Sequence, residues 1–115
     1  PVQFEPEPLK ASVARLLERD PAALCVTHYG RVANAPHLSR LLLEQIDDLA
    51  AIGERQRDAT NNRHAALCSE LSQLYRRRLS EHGFADVDDA MRWMAMDVEI
   101  NAQGLASWLD RASRG

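Results

Sequence analysis

Apolar residues recur at intervals of three and four along most of this chain, which is the period of an amphipathic helix. The pattern predicts a short helix from Pro8 to about Arg19, followed by three long helices that begin near Pro36, around Thr60 and at Asp86. The apolar stripes of the three long helices are, in order, Leu38, Leu41, Leu42, Ile46, Leu49 and Ile52; Leu67, Leu71, Leu74, Tyr75 and Leu79; and Val87, Met91, Met94, Val98, Leu105 and Leu109. We therefore expect a mostly α fold with three long antiparallel helices and about 70% helix, well above the usual third.

One segment departs from this pattern and is typical of a strand. Residues 23–27 form an apolar run, which suits a short strand buried on both faces. The backbone of such a strand needs hydrogen-bond partners. The sequence leaves three alternatives for this partner: the segment that contains Val2 and Phe4, another chain, or a sheet that belongs to a longer protein.

The last predicted helix carries a second apolar stripe, formed by Trp93, Met96, Ile100 and Trp108. One apolar face is enough for a helix that packs in a small bundle. Two faces indicate either a central core helix or a helix that also contacts another body, and both interpretations stay open. We expect a homodimer or higher oligomer whose interface contains these four residues or the strand at residues 23–27.

Composition and charge narrow the class of protein. Apolar residues make up 45% of the chain and charged residues 27%, which is ordinary for a globular domain and excludes a disordered tail. The apolar runs are far shorter than the roughly 20 residues that cross a bilayer, so we expect no membrane partner. A net charge of −3 argues against a nucleic-acid partner, and the basic run Arg76-Arg77-Arg78 is interpreted as a solvated helix face. Two cysteines, Cys25 and Cys68, are too few for a disulfide framework, and no signal peptide is visible, so we expect reduced thiols and a cytoplasmic location.

The histidines are the candidate chemical groups. His28, His37, His64 and His82 are too far apart along the chain to form a local zinc motif. His64 and Cys68 lie one helical turn apart and offer two metal ligands, although a surface histidine beside a small core thiol is the favoured interpretation. His28 directly follows the predicted strand, where a side chain is well placed to project into a site. It is either a hydrogen-bonding group of the turn or a ligand or acid–base group.

Three segments near the start of the chain form one pattern: residues 4–13, FEPEPLKASV; residues 15–17, RLL; and residues 24–30, LCVTHYG. Together they resemble the closing part of the metallo-β-lactamase-fold hydrolases. In that superfamily a helix leads to the last core strand, and the strand ends in a Thr-His-X-Gly-like motif, which Thr27-His28-Tyr29-Gly30 resembles. Residues 98–105, VEINAQGL, resemble the C-terminal helix of bacterial members. The resemblance implies that His28 is the last metal-ligating histidine, whereas the family's His-X-His-X-Asp-His motif, its further histidine and its bridging aspartate have no counterpart in this sequence.

The resemblance also carries expectations for organisation and function. It implies that residues 1–33 are the end of a hydrolase core, with a strand left over from an αββα sandwich, and that residues 34–115 are a C-terminal helical bundle. The bundle would cap the sandwich, line the entrance for a small-molecule substrate or contact another subunit. The parent enzyme would use zinc or iron, whereas we expect the isolated chain to be inactive and to hold no cofactor. The alternative is a free-standing helical module for protein interaction or dimerisation, with no enzymatic role.

Overall fold

The computed structural model describes residues 3–115, of which most are helical, as the apolar period predicted. Across the described residues the elements are α1 (Pro6–Leu17), β1 (Ala23–Val26), β2 (Gly30–Ala33), α2 (Ala35–Arg55), α3 (Arg63–Glu81), α4 (Val87–Trp93) and α5 (Ala95–Ala112). None of these helices is both long enough and apolar enough to cross a membrane.

The chain divides into two compact units. Residues 5–47 form the first, which we call the hairpin unit, and residues 48–115 together with residues 3–4 form the second, the helical unit. Helix α2 begins in the hairpin unit and ends in the helical unit. The boundary expected between residues 33 and 34 rests on the family resemblance and stays a prediction.

Helix α1 begins at Pro6, two residues before the predicted start. Both Pro6 and Pro8 lie in its first turn, where a backbone N–H has no intrahelical acceptor, so neither proline interrupts the helix. The helix ends at Leu17, close to the predicted end, and Asp20 follows with a positive φ of 46° ahead of Pro21. The prolines therefore fix both ends of this helix.

Strands β1 and β2 form an antiparallel hairpin, in which Ala23 lies opposite Ala33 and Val26 opposite Gly30. The predicted strand at residues 23–27 is thus confirmed as β1, but its expected burial on both faces is wrong, because Cys25 and Val26 are exposed. Burial on both faces requires packed layers on both sides of a sheet, and the exposure of Cys25 and Val26 shows that β1 lacks them.

The partner of β1 is β2, which sequence reasoning missed. Its sequence, Gly30-Arg31-Val32-Ala33, has one large apolar residue and no clear alternation. Of the alternative partner segment, Val2 lies outside the described residues and Phe4 is not in a strand.

The core of the helical unit lies between α3 and α5. The buried residues of α3 are Leu67, Leu71, Leu74 and Tyr75, and those of α5 include Val98, Ala102, Leu105 and Leu109. These residues recur at helical spacing, and Ile52 near the end of α2 is also buried. The predicted apolar stripes of the last two long helices therefore supply most of this core.

The predicted third long helix is divided at Met94 into α4 and α5. Asp86 caps α4 as expected, since its carboxylate accepts a hydrogen bond from the Asp89 N–H at 2.9 Å. Met94 has φ −90° and ψ 3°, outside the helical region. No proline or glycine lies at this position, and the apolar residues keep their helical spacing across the break. The end of α4 could therefore not be predicted from the sequence.

Candidate functional site

His28 lies at the tip of the β1–β2 hairpin, in the turn formed by residues 27–29, and its side chain is exposed. Its φ is 77°, in the left-handed region that few non-glycine residues adopt. Gly30, at the start of β2, has φ 90° and nothing near the position of a Cβ. Within residues 3–115, His28 belongs to no group of three or more metal-ligating side chains whose donor atoms lie close together.

An open apolar groove lies beside this turn, within the hairpin unit. It has a volume of about 270 Å³ and is lined by Leu24, Val26, Tyr29, Val32, Leu38, Ser39 and Leu42. Tyr29, next to His28, is 86% exposed, and Val26 and Leu38 are also exposed. A patch of large apolar side chains that water reaches is typical of a surface that contacts another body.

The four predicted interface residues fall into two environments. Trp93 and Met96 are 82% and 72% exposed, and Ile100, one helical turn after Met96, is 43% exposed. Trp108 is instead half-buried in the helical unit, where its ring packs edge-on against Phe4 with 5.5 Å between the ring centroids. Within the second apolar stripe, Trp108 therefore contributes to the core, whereas Trp93, Met96 and Ile100 remain on the surface.

The structure brings a third potential ligand to His64 and Cys68. Glu99 of α5 faces these two residues of α3, with its Oε2 atom 3.0 Å from His64 Nε2 and 3.8 Å from Cys68 Sγ. The remaining separation, between Cys68 Sγ and His64 Nε2, is 3.5 Å. The three donor atoms thus form a compact triangle of nitrogen, sulfur and oxygen. We call these three residues the His–Cys–Glu cluster.

The packing of α3 on α5 positions this cluster. Leu67 and Leu71, next to the ligand face of α3, and Ala102 of α5 are fully buried. On the α5 side, Gln103 Nε2 donates a hydrogen bond of 2.8 Å to Glu99 Oε1. That bond occupies one carboxylate oxygen and leaves the other facing His64 and Cys68.

The electrostatics of the cluster follow from these contacts. The hydrogen bonds from Gln103 and His64 lower the pKa of Glu99, so its carboxylate is ionised at neutral pH. Partial burial, reinforced by the neighbouring Glu99 charge, raises the pKa of the Cys68 thiol. At neutral pH the cluster therefore holds a carboxylate beside a protonated thiol.

Sequence reasoning identified two members of this cluster and missed the third. His64 and Cys68 lie four residues apart, so a predicted helix places them on the same face. Glu99 lies 31 residues beyond Cys68 and reaches it only through tertiary packing. The only available signal was a polar residue between Val98 and Ile100 on the last helix.

The basic run on α3 is engaged in ion pairs. Arg76 contacts Asp88 of α4 at 2.6 Å, and Arg77 and Arg78 contact Asp48 at 3.5 Å and 2.7 Å. Each arginine thus has a carboxylate partner within the helical unit. These ion pairs connect α3 to α4 and to α2.

Comparison with protein-family models, with curated proteins and with solved structures finds no match to this chain.

Proposed function

We propose that this chain is the C-terminal region of a metal-dependent hydrolase of the metallo-β-lactamase fold and contributes one metal ligand, His28. The observation that carries the proposal is the position of His28, exposed at a hairpin tip in a left-handed conformation, within the Thr-His-X-Gly-like motif. Non-glycine residues in this conformation are uncommon and occur mainly in turns and at functional sites. The hairpin holds the exposed imidazole at its tip, where the other metal ligands of the proposed enzyme would meet it.

The apolar groove beside His28 supports the same proposal. The hairpin and the first part of α2 both line this groove, and its exposed side chains are Val26, Tyr29, Leu38 and Leu42. In the proposed parent enzyme the sandwich core covers this groove and brings the other metal ligands to His28. Burial of large side chains such as Leu38 and Tyr29 would favour that docking, because removing apolar area from water contributes about 25 cal/mol per Å².

The hairpin unit does not by itself fit a catalytic zinc or iron ion. A catalytic zinc site takes three protein ligands, whereas His28 has no such neighbours within residues 3–115. In the proposal the remaining ligands come from a preceding part of the longer protein. We therefore expect this chain alone to hydrolyse no thioester, lactam or phosphodiester.

The coding sequence upstream of Pro1 tests this proposal. A His-X-His-X-Asp-His motif in the same reading frame, a hundred or more residues earlier, would support it. A reading frame that begins just before Pro1, or one whose upstream part lacks that motif, would contradict it. The longer protein is also the enzyme in which the role of His28 is to be measured.

A second candidate function is a helical module for protein interaction without catalysis. The observation that favours it is the exposure of Trp93, Met96 and Ile100, because large apolar side chains are rarely left in water at neighbouring positions. A second copy of the chain is the simplest occupant of such a face, since two-fold dimers are the commonest closed assemblies. Sedimentation of the purified chain distinguishes a dimer from a monomer.

A further inference from the structure

We propose that His64, Cys68 and Glu99 form a binding site for a divalent transition-metal ion of the zinc class on the surface of the helical unit. This site is separate from His28 and does not depend on the hydrolase proposal. It also departs from the expectation that the isolated chain holds no cofactor, because that expectation rested on His28 as the single candidate ligand of the hydrolase site.

The distances between the donor atoms fit a shared ion. Zinc bond lengths of about 2.0 Å to nitrogen and oxygen and about 2.3 Å to sulfur place tetrahedral N···O pairs about 3.3 Å apart and pairs with sulfur about 3.5 Å apart. The corresponding separations in the cluster are 3.0 Å for His64 to Glu99, 3.5 Å for Cys68 to His64 and 3.8 Å for Cys68 to Glu99. Shifts of about 0.3 Å in side-chain atoms would therefore be enough to coordinate the ion.

The donor set selects the class of metal. One thiolate, one imidazole and one carboxylate form a borderline-soft set, which suits zinc or cobalt and does not suit magnesium or calcium, whose ligands are oxygen atoms. Three protein ligands leave a fourth position for water. His64 and Glu99 are each about half-exposed, so an ion has access from solvent.

Metal binding displaces protons from the cluster. The divalent ion replaces the thiol proton of Cys68, forming a metal–sulfur bond and releasing one proton to the buffer. His64 coordinates through Nε2 as the neutral imidazole with its proton on Nδ1, which replaces the present contact between Nε2 and Glu99. No oxidant or reductant takes part.

Gln103 is the positioning residue of the site. Its side chain donates to Glu99 Oε1 at 2.8 Å and orients the carboxylate so that Oε2 faces the metal position. Such partners of a ligand typically change metal affinity by about 10- to 100-fold when removed. Removal of Gln103 should therefore weaken metal binding, but less than removal of a ligand does. In an accidental collection of surface groups, removal of Gln103 should leave metal binding unchanged.

The test is a titration of the full chain with Zn²⁺, followed by Co²⁺ as a spectroscopic probe. We expect one ion per chain, release of about one proton from the thiol, and a thiolate-to-cobalt charge-transfer band. H64A, C68S and E99Q should each weaken Zn²⁺ binding by more than about 100-fold, and Q103A by about 10-fold. C68S should also abolish the charge-transfer band.

Matched controls come from the same residue types elsewhere in the chain. C25S removes the other free thiol, and H82A removes another histidine at the end of α3, so neither should change Zn²⁺ affinity. Circular dichroism of every variant checks that the helices persist. Zn²⁺ binding that C25S or H82A weakens as much as C68S and H64A, or a Co²⁺ complex without the thiolate band, would overturn the proposal and leave His64 and Glu99 as an ion pair only.

Discussion

Trp108 lies directly against the backbone of Gly53, so that a Cβ added at that glycine would come within 2.7 Å of the indole Cζ3 atom. The glycine lies within α2, where its lack of a side chain gives the indole a place to pack. This contact explains why a residue that weakens a helix is present near the end of α2.

We expect Gly53→Ala to destabilise the helical unit. Alanine gains about 1 kcal/mol of helix propensity over glycine. Overpacking against the rigid indole costs about 1–3 kcal/mol, and a contact below 3.0 Å with a large ring places it in the upper part of that range. The expected net loss is about 1–2 kcal/mol, measured by urea unfolding followed by circular dichroism. The control is the same change in a Trp108→Ala background, where the propensity gain should dominate and alanine should stabilise; stabilisation in both backgrounds would contradict the packing argument.

His28→Ala tests the proposed hydrolase role in the longer protein. If His28 ligates the metal, its loss should remove one metal ion per subunit and reduce turnover by a factor of 100 or more, on the order of 3 kcal/mol in activation free energy. Metal content by mass spectrometry and hydrolysis of thioester, lactam and phosphodiester substrates provide the two measurements. The matched control is His37→Ala, which removes another exposed histidine of the hairpin unit. Full metal content and unchanged rate in His28→Ala would make His28 an ordinary turn residue.

The exposed side chains of Trp93, Met96 and Ile100 predict self-association. Burying about 600 Å² of apolar surface contributes on the order of 15 kcal/mol before the entropic cost of association. We expect sedimentation of the chain at micromolar concentration to give a dimer or larger species, and Trp93→Ala with Met96→Ala to shift it toward the monomer of 12.9 kDa. Phe84→Ala, at another exposed aromatic residue, is the control. A monomer at every concentration tested would exclude these side chains as a contact between copies.

Asp88 provides a prediction for the pH dependence of stability. The Arg76 guanidinium, which hydrogen-bonds its carboxylate, lowers the pKa of Asp88 below its ordinary 3.8. A carboxyl whose pKa is lower in the folded state stabilises the fold above its unfolded-state pKa and loses that contribution as the pH falls through the folded-state pKa. We therefore expect Asp88→Asn to be slightly less stable than the unchanged chain at neutral pH, with the difference vanishing once the pH has fallen through the lowered folded-state pKa of Asp88. High salt should reduce the neutral-pH difference, because the pair is exposed, and a difference that persisted at low pH would point to another cause.

The helices were the predictable part of this fold. Leu67 and Leu71 on α3 and Leu105 and Leu109 on α5 recur at helical spacing and form the core that spacing implies. Strand β2 was missed because the pairing of Gly30 with Val26 depends on the turn between them and not on an apolar pattern. Local signals of this kind are weak in a four-residue strand.

The candidate sites were only partly predictable for a different reason. His28 was predicted to be a metal ligand from its motif and stays a prediction, to which the structure adds its exposure and its backbone conformation. His64 and Cys68 were recognisable as a pair on one helix, but Glu99 joins them only because α3 packs on α5 in one particular register. A chemical group assembled from two helices becomes visible only when that register is known.

The contacts of Phe4 have a consequence for the order in which the chain folds. Its carbonyl accepts a hydrogen bond from Arg111, 107 residues further along the chain, and its ring packs against Trp108. During synthesis, Phe4 therefore leaves the ribosome long before the helix that it packs against has been made. Pairings across so large a sequence separation are slow to form, because the intervening chain must first be ordered. The helical unit can accordingly complete its packing only after α5 has been synthesised, and until then the phenyl ring of Phe4 lacks its partner Trp108 and adds to the apolar surface that makes incomplete chains prone to aggregation.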